Sequence, residues 1–296
     1  MELKKPKTFG EQIEILKERG CIMGDENYVS QVLERINYYR LTAFFLPYIT
    51  SKGNYKKGTT FNKVYRNYLF DAELRFLLFP LIEEIELTLR TQLAYYHAHK
   101  YGALGYMDCN NYNNQHNHGE FVEKINKLIE RNKNQPFVNH HIENYERQFP
   151  IWVIIELFTT NDLSIFFSDM DISDQKSVAI NQFGANYKNL STWLHCLTIF
   201  RNYCAHYSRL YYTLFSATPK TPKGFSYTLW KQTFDYILVL KFLSPRPELW
   251  GHNLVEPLKK LIYSYSDSIE LSHIGFPNNW ETILNEPVPR VKGYKL

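Results

Sequence analysis

Between Phe200 and Tyr212 the chain reads FRNYCAHYSRLYY, placing Arg201 and Asn202 ahead of His206 and Arg209. Imidazole has an ordinary pKa near neutrality, and guanidinium offers a planar fork of donors, so these groups suit proton transfer and phosphate binding. On a helix turning about 100° per residue, His195, Asn202, His206 and Arg209 fall within about 60° of one another. Trp193, Leu197, Phe200, Cys204, Tyr207 and Tyr211 gather opposite them as a core face. Arg201 sits at the boundary, with a side chain long enough to reach either way. Asn202 and His206 are four residues apart, so the amide can meet the imidazole. A solvated helix back usually carries Lys and Glu, yet Leu190 to Leu210 contains neither, and no Asp. The polar back is therefore expected to be covered.

Other constellations compete with this one. Arg90 with His97 and Arg246 with His252 have comparable Arg–His spacings, so spacing alone carries little weight. Glu83, Glu86, Arg90 and His97 share one side of a helical segment. A Glu86–Arg90 ion pair within that helix is the structural reading; the functional one has the helix beside the motif helix, lending Arg90 to the same pocket. His97, His99, Cys109, His116 and His118 surround an Asn-rich loop without the ligand spacing of a zinc site, and no metal or cofactor is expected. The tyrosines of NYYR and RLYY read as core and interface rather than base-stacking platforms.

The elements that must position these residues are helical. Thr8 and Glu11 have capping-box spacing ahead of Ile13 and Leu16, and Gly20 supplies a stop. A second helix starts at Asp25 and runs through Val29, Val32, Leu33 and Ile36. NYYRLTAFFLPY follows, closed by Pro47. After the loop SKGNYKKG, Thr59 or Thr60 caps a long segment over 61–100, which Pro80 is expected to kink or divide. Shorter helices are predicted over 120–131, 151–158 and 173–183. A long one should run from about Leu190 to Leu210, and two more over 227–243 and 254–265. No sustained alternation or Asn-Gly hairpin suggests a strand. The fold class is all-α.

Across 296 residues, 44% are hydrophobic and 22% charged, which fits a globular chain and excludes a disordered one. The net charge of +4 permits an anionic partner without demanding one. Lysines cluster at Lys4, Lys5 and Lys7, at Lys56 and Lys57, and at Lys259 and Lys260, most simply as solvated surface. Apolar runs such as LLFPLI are too short for a bilayer, and MELKKPKTFGEQ lacks an apolar core behind its basic residues. Cys21, Cys109, Cys196 and Cys204 lack C-x-x-C spacing and read as free thiols. A cytoplasmic protein without membrane contact is expected.

RNYCAH resembles the Arg-Asn…His signature of the HEPN superfamily, with four residues between Arg and His. INYYRLTAFFLPY, KGTTFNKVYRNYLFDAELRFLL, IEEIELTLRTQLAYYHAHKYGALGYMD and STWLHCLTIFRNYCAHYSRLYY occur in that order. Together they are similar to the Abi-like (AbiD/AbiF) abortive-infection proteins over roughly residues 6–215, and IGFPNNW resembles the C-terminal part of that family. The family often has a second His directly after the motif His, where this chain has Tyr207; the first His alone belongs to the signature.

The resemblance implies a HEPN-type helical bundle with additional N- and C-terminal helices. Residues 1–218 would form the Abi-like region with the HEPN core, and 219–296 a C-terminal extension packed on the same core. It implies a metal-independent endoribonuclease acting in phage defence, with Arg201, Asn202 and His206 catalytic and Arg209 and Arg90 contacting RNA. The 2′-hydroxyl of RNA would be the nucleophile, His206 would move the proton, Arg201 would stabilise charge on phosphorus, and Asn202 would orient the imidazole or a phosphate oxygen. One chain supplies one motif His, so a homodimer would supply acid and base. RNA would be the partner, as substrate and, as in some relatives, as a small noncoding RNA that restrains activity. A non-catalytic RNA-binding module and a purely structural dimerisation protein are the competing readings.

Overall fold

The N-terminal helices begin where side chains can occupy their free amides. In the computed structural model, which describes residue 3 and residues 5–291, α1 (Phe9–Glu18) opens with Thr8 and Glu11 in a reciprocal capping box. Lys4 of the N-terminal lysine cluster lies outside the described residues. Asp25 caps α2 (Glu26–Arg35) by accepting from the amides of Asn27 and Tyr28, and Asn37 caps α3 (Tyr38–Thr42). A 3-10 stretch, Ala43–Tyr48, follows directly.

Thr60 caps α4 (Phe61–Tyr101), a helix of 41 residues around which the other elements pack. Pro80 neither divides it nor ends it. Proline removes one backbone donor, but Pro80 and Phe76, the residue whose carbonyl loses its partner, are both exposed, so water can satisfy that carbonyl.

The middle of the chain forms α5 (His118–Asn132), α6 (Pro136–Asn144), α7 (Ile151–Ile154), α8 (Thr160–Asp169) and α9 (Ile172–Phe183). The helix expected over 151–158 is shorter and turns 3-10 at Ile155–Leu157. Two of these elements, α6 and α8, lie outside the expected helices. The signal for α8 was present as Thr159 three residues before Asp162, a capping box that the structure contains. The buried carboxylate of Asp174 ties α9 to the end of α4, accepting from the hydroxyls of Tyr96 at 2.8 Å and Tyr101 at 2.6 Å.

The motif helix is α10 (Tyr187–Ala205), and it stops five residues short of the expected end. After it come α11 (Thr233–Leu243), α12 (Glu256–Ser264), preceded by a π-helical turn, and α13 (Trp280–Asn285). Every residue of α11 is buried, and it lies against α4 and α10. Burial pushes the Lys241 ammonium down to about 8, and it donates to the carbonyls of Ile283 (3.0 Å) and Glu286. Arg66 on α4 reaches the carbonyl of Ser264 at 2.7 Å, fastening α12 to α4. Among the described residues only isolated bridges occur and no strand, so the fold is all-α.

Candidate functional site at the end of the motif helix

The end of α10 is a Schellman turn. Ser208 N donates to Tyr203 O at 2.9 Å and Tyr207 N to Cys204 O at 3.4 Å, with Tyr207 left-handed at φ 58°. Glycine usually fills that position because a side chain there costs about 1–2 kcal/mol. Here the strain is held from outside: Arg40 donates to Tyr207 O at 2.5 Å, and Arg75 to Ser208 O at 3.2 Å. Asp71, fully buried on α4, accepts from the amides of Leu210 (2.8 Å) and Tyr211 (2.7 Å) and pairs with Arg75. Burial raises the Asp71 pKa, while Arg75 and the two amide donors oppose it.

This turn corrects two expectations from the helical wheel. Tyr207 is 70% exposed rather than part of the core face, because the chain has left the helix. Tyr211 is buried as expected, but it is delivered by the pinned loop, its hydroxyl 2.9 Å from His273 Nδ1.

The motif residues themselves emerge together. His206 is the C-cap of α10 and Asn202 lies one turn before it; both are exposed, as is His195. Within one chain, nothing among the described residues covers this face. Arg201 is partly exposed, with Nε 3.5 Å from Glu86 Oε2. Glu86 is shared: its Oε1 accepts from Arg90 at 2.9 Å and its Oε2 from the Thr160 hydroxyl at 2.6 Å. One carboxylate thus joins α4, α8 and α10, and a second, the half-exposed Glu156, lies 3.8 Å from Arg90 and balances the other guanidinium.

The structure places the two candidate RNA contacts elsewhere. Arg90 is buried and donates to the carbonyls of Ile155 (3.2 Å) and Glu156 (2.6 Å) besides Glu86. It touches the motif only through Glu86. Arg209 leaves the motif face altogether, donating to Ala43 O and lying 5.9 Å from the Phe44 ring centre. Sequence reasoning did not find Asp71, Arg75, Arg40 or Thr160, whose contacts to the motif turn or to Glu86 span 74 to 167 positions of the chain.

Beside the motif, His195 opens on a cavity of about 380 Å³ edged by Asn161, Ser164, Ser168, Ser191 and Thr192. Apolar side chains flank the other end. Arg75 and Glu86 contact the two ends of the motif from one face of α4, and helical spacing sets Phe79, 38% exposed, between them. Phe76 is 82% exposed.

The histidines of the Asn-rich region pack against aromatic rings and a carboxylate. His97 is sealed among Tyr101, Tyr112 and Phe166, and burial pushes its imidazole down to about 4. His116 Nδ1 lies 2.9 Å from Asp169 and its ring stacks on Tyr112 at 3.9 Å. Among the described residues no three His, Cys, Asp or Glu side chains are grouped to hold a metal. No helix of the described residues is long and apolar enough to cross a membrane.

The Abi-like protein family matches residues 31–212, a span that holds α3 to α10, the Glu86 junction and the pinned loop. The chain belongs to the Abi-like protein family, a membership that points to abortive infection, the defence of bacteria against phage. No curated protein and no solved structure matches the chain.

Proposed function

We propose that this protein is a metal-independent HEPN-type endoribonuclease of abortive infection, working in the cytoplasm as a homodimer. The observation that carries the reading is the joint emergence of Arg201, Asn202 and His206 at the exposed end of α10, backed by a paired frame. His206 takes the proton of an RNA 2′-hydroxyl as that oxygen attacks phosphorus. The 5′-oxygen leaves with a proton from a second acid, giving a 2′,3′-cyclic phosphate and a 5′-hydroxyl. Arg201 stabilises the pentacoordinate phosphorus, and its contact with the anchored Glu86 supports that role by fixing the guanidinium. Asn202, one turn from His206, orients the imidazole or a phosphate oxygen. Arg90 and Arg209 act through the frame, one fixing Glu86 and the other fixing the motif loop to the 3-10 stretch.

The second acid comes from His206 of another copy. The uncovered motif face and the exposed Phe79 and Tyr207 beside it support a two-fold contact there. A toxin of this kind needs restraint, and a small noncoding RNA on the same cationic surface is the proposed inhibitor. The second reading, RNA binding without cleavage, draws on the Glu86 contact, which takes part of the Arg201 charge.

Cleavage separates the two. Wild-type protein should cut RNA but not DNA, in the presence of EDTA, leaving cyclic phosphate ends. His206→Ala and Arg201→Ala should lose at least 100-fold in rate with unfolding midpoints unchanged, both groups lying off the core. Cutting at the wild-type rate by His206→Ala would reject the catalytic assignment.

A further inference from the structure

A wide groove lies outside the motif. Its volume is about 1180 Å³, and its walls come from α1, α2, α3 and the 3-10 stretch. Single small-molecule sites commonly measure about 300–1,000 Å³, so the groove suits something longer than one compact ligand. Its lining includes Lys5, Lys7, Arg19 and Arg35 against a single acid, Glu34. Lys7 is paired with Glu11 at 2.9 Å, but Lys5, Arg19 and Arg35 have no carboxylate within ion-pair distance among the described residues. Between these cations lie rings: Tyr39 is 84% exposed, Phe9 41%, and Tyr38 lines the floor. Burial pushes the Tyr38 hydroxyl up, and the positive charge of Arg19 opposes it. Of the NYYR tyrosines, Tyr38 packs against the core, as expected, while Tyr39 stands in the groove wall.

The groove is joined to the motif. Its wall α3 carries Arg40, whose guanidinium holds the Tyr207 carbonyl directly after His206. Arg209, three residues past His206, holds the carbonyl of Ala43, a groove residue. One wall of the groove is thus hydrogen-bonded to the motif turn.

We infer that this groove holds an unpaired RNA strand on its way to the motif, with bases stacked on Tyr39 and Phe9 and phosphates on Lys5, Arg19 and Arg35. The assignment rests on the nuclease reading for the fate of the strand, and on charge and ring placement for its chemistry. Unpaired bases offer their faces to aromatic side chains whatever their sequence, and alternating cations follow the backbone. A duplex would keep its base faces hidden, so stacking selects the single strand.

The test uses full-length protein and a fluorescent 12-nucleotide oligouridylate, with His206→Ala in the background so that the probe survives. Tyr39→Ala should weaken binding about tenfold. Arg19→Gln with Arg35→Gln should weaken it at least as much and flatten the slope of log affinity against log salt by about 1.4, two phosphate contacts being lost. All three side chains are exposed, so melting should not change. With His206 restored, the same groove variants should cut a 20-nucleotide RNA at least tenfold less efficiently through KM, while cutting the dinucleotide UpA, too short to occupy both places, at the wild-type rate. Unchanged affinity and salt slope would overturn the groove assignment and leave the nuclease intact. Weaker binding with undiminished cutting of the long RNA would mean that the held strand is not the substrate, and would overturn the track. Equal slowing on UpA would show damage to the motif instead and would also overturn it. If wild-type protein cuts neither RNA while the variants still lose binding, the nuclease reading fails and the groove remains an RNA site.

Discussion

Glu86 shows how little of a side chain's role its own helix decides. As a partner for Arg90 four residues on, it could have been one of many exposed ion pairs, worth a few tenths of a kcal/mol. In the fold it is largely buried, and Arg90 beside it is more so, which changes the stakes. Neutralising the carboxylate leaves the buried Arg90 guanidinium with carbonyls and only the half-exposed Glu156 carboxylate, 3.8 Å away, as counter-charge. Glu86→Gln should therefore cost about 2 kcal/mol in urea unfolding. Glu83→Gln, on the exposed side of the same helix, should stay within about 0.5 kcal/mol. Equal stabilities for the two variants would remove Glu86 from the frame.

At the scale of elements, the stop of α10 is the decisive event. A helix ending in a Schellman turn normally advertises itself with glycine, and here the left-handed position is Tyr207. Its carbonyl is held by Arg40 and the following backbone by Arg75 and Asp71, so two other helices, α3 and α4, enforce a conformation that the local sequence resists. The exposed Tyr207 ring contributes little to the core, which leaves backbone strain as the main term in its replacement. Tyr207→Gly should raise stability by about 0.5–1 kcal/mol, read as a higher denaturant midpoint at unchanged slope. A drop in midpoint would mean that the Tyr207 ring makes contacts that outweigh the strain. Over α4, Pro80 carried the opposite lesson: a residue that normally breaks helices is tolerated because its unpaired carbonyl faces water.

For the whole molecule, the question is what meets the motif face. Within one chain His195, Asn202 and His206 stay open, flanked by exposed Phe79 and Tyr207. Under the proposed two-fold contact, sedimentation equilibrium should give a dimer, and Phe79→Glu should weaken it at least tenfold by placing carboxylates in an apolar contact. Cleavage should fall with the dimer and recover at high protein concentration. A wild-type chain that sediments as a monomer at every concentration while cutting RNA would end the shared-site proposal.

Much was legible in the sequence because much of it is local. Caps at Thr8, Asp25 and Thr60 act over two or three residues, and helical periodicity repeats within a few turns, so the all-α class and the start of most helices follow from short windows. The Arg201, Asn202 and His206 constellation was legible for the same reason, lying within six consecutive residues. The tertiary structure alone decided where α10 stops, since Asp71 and Arg75 reach its exit from more than a hundred residues away. It also turned Arg90 and Arg209 inward and opened a groove between Tyr39 and Arg19. Those outcomes depend on which carbonyls and carboxylates other elements bring within hydrogen-bond distance, and no periodicity along a single chain segment records that.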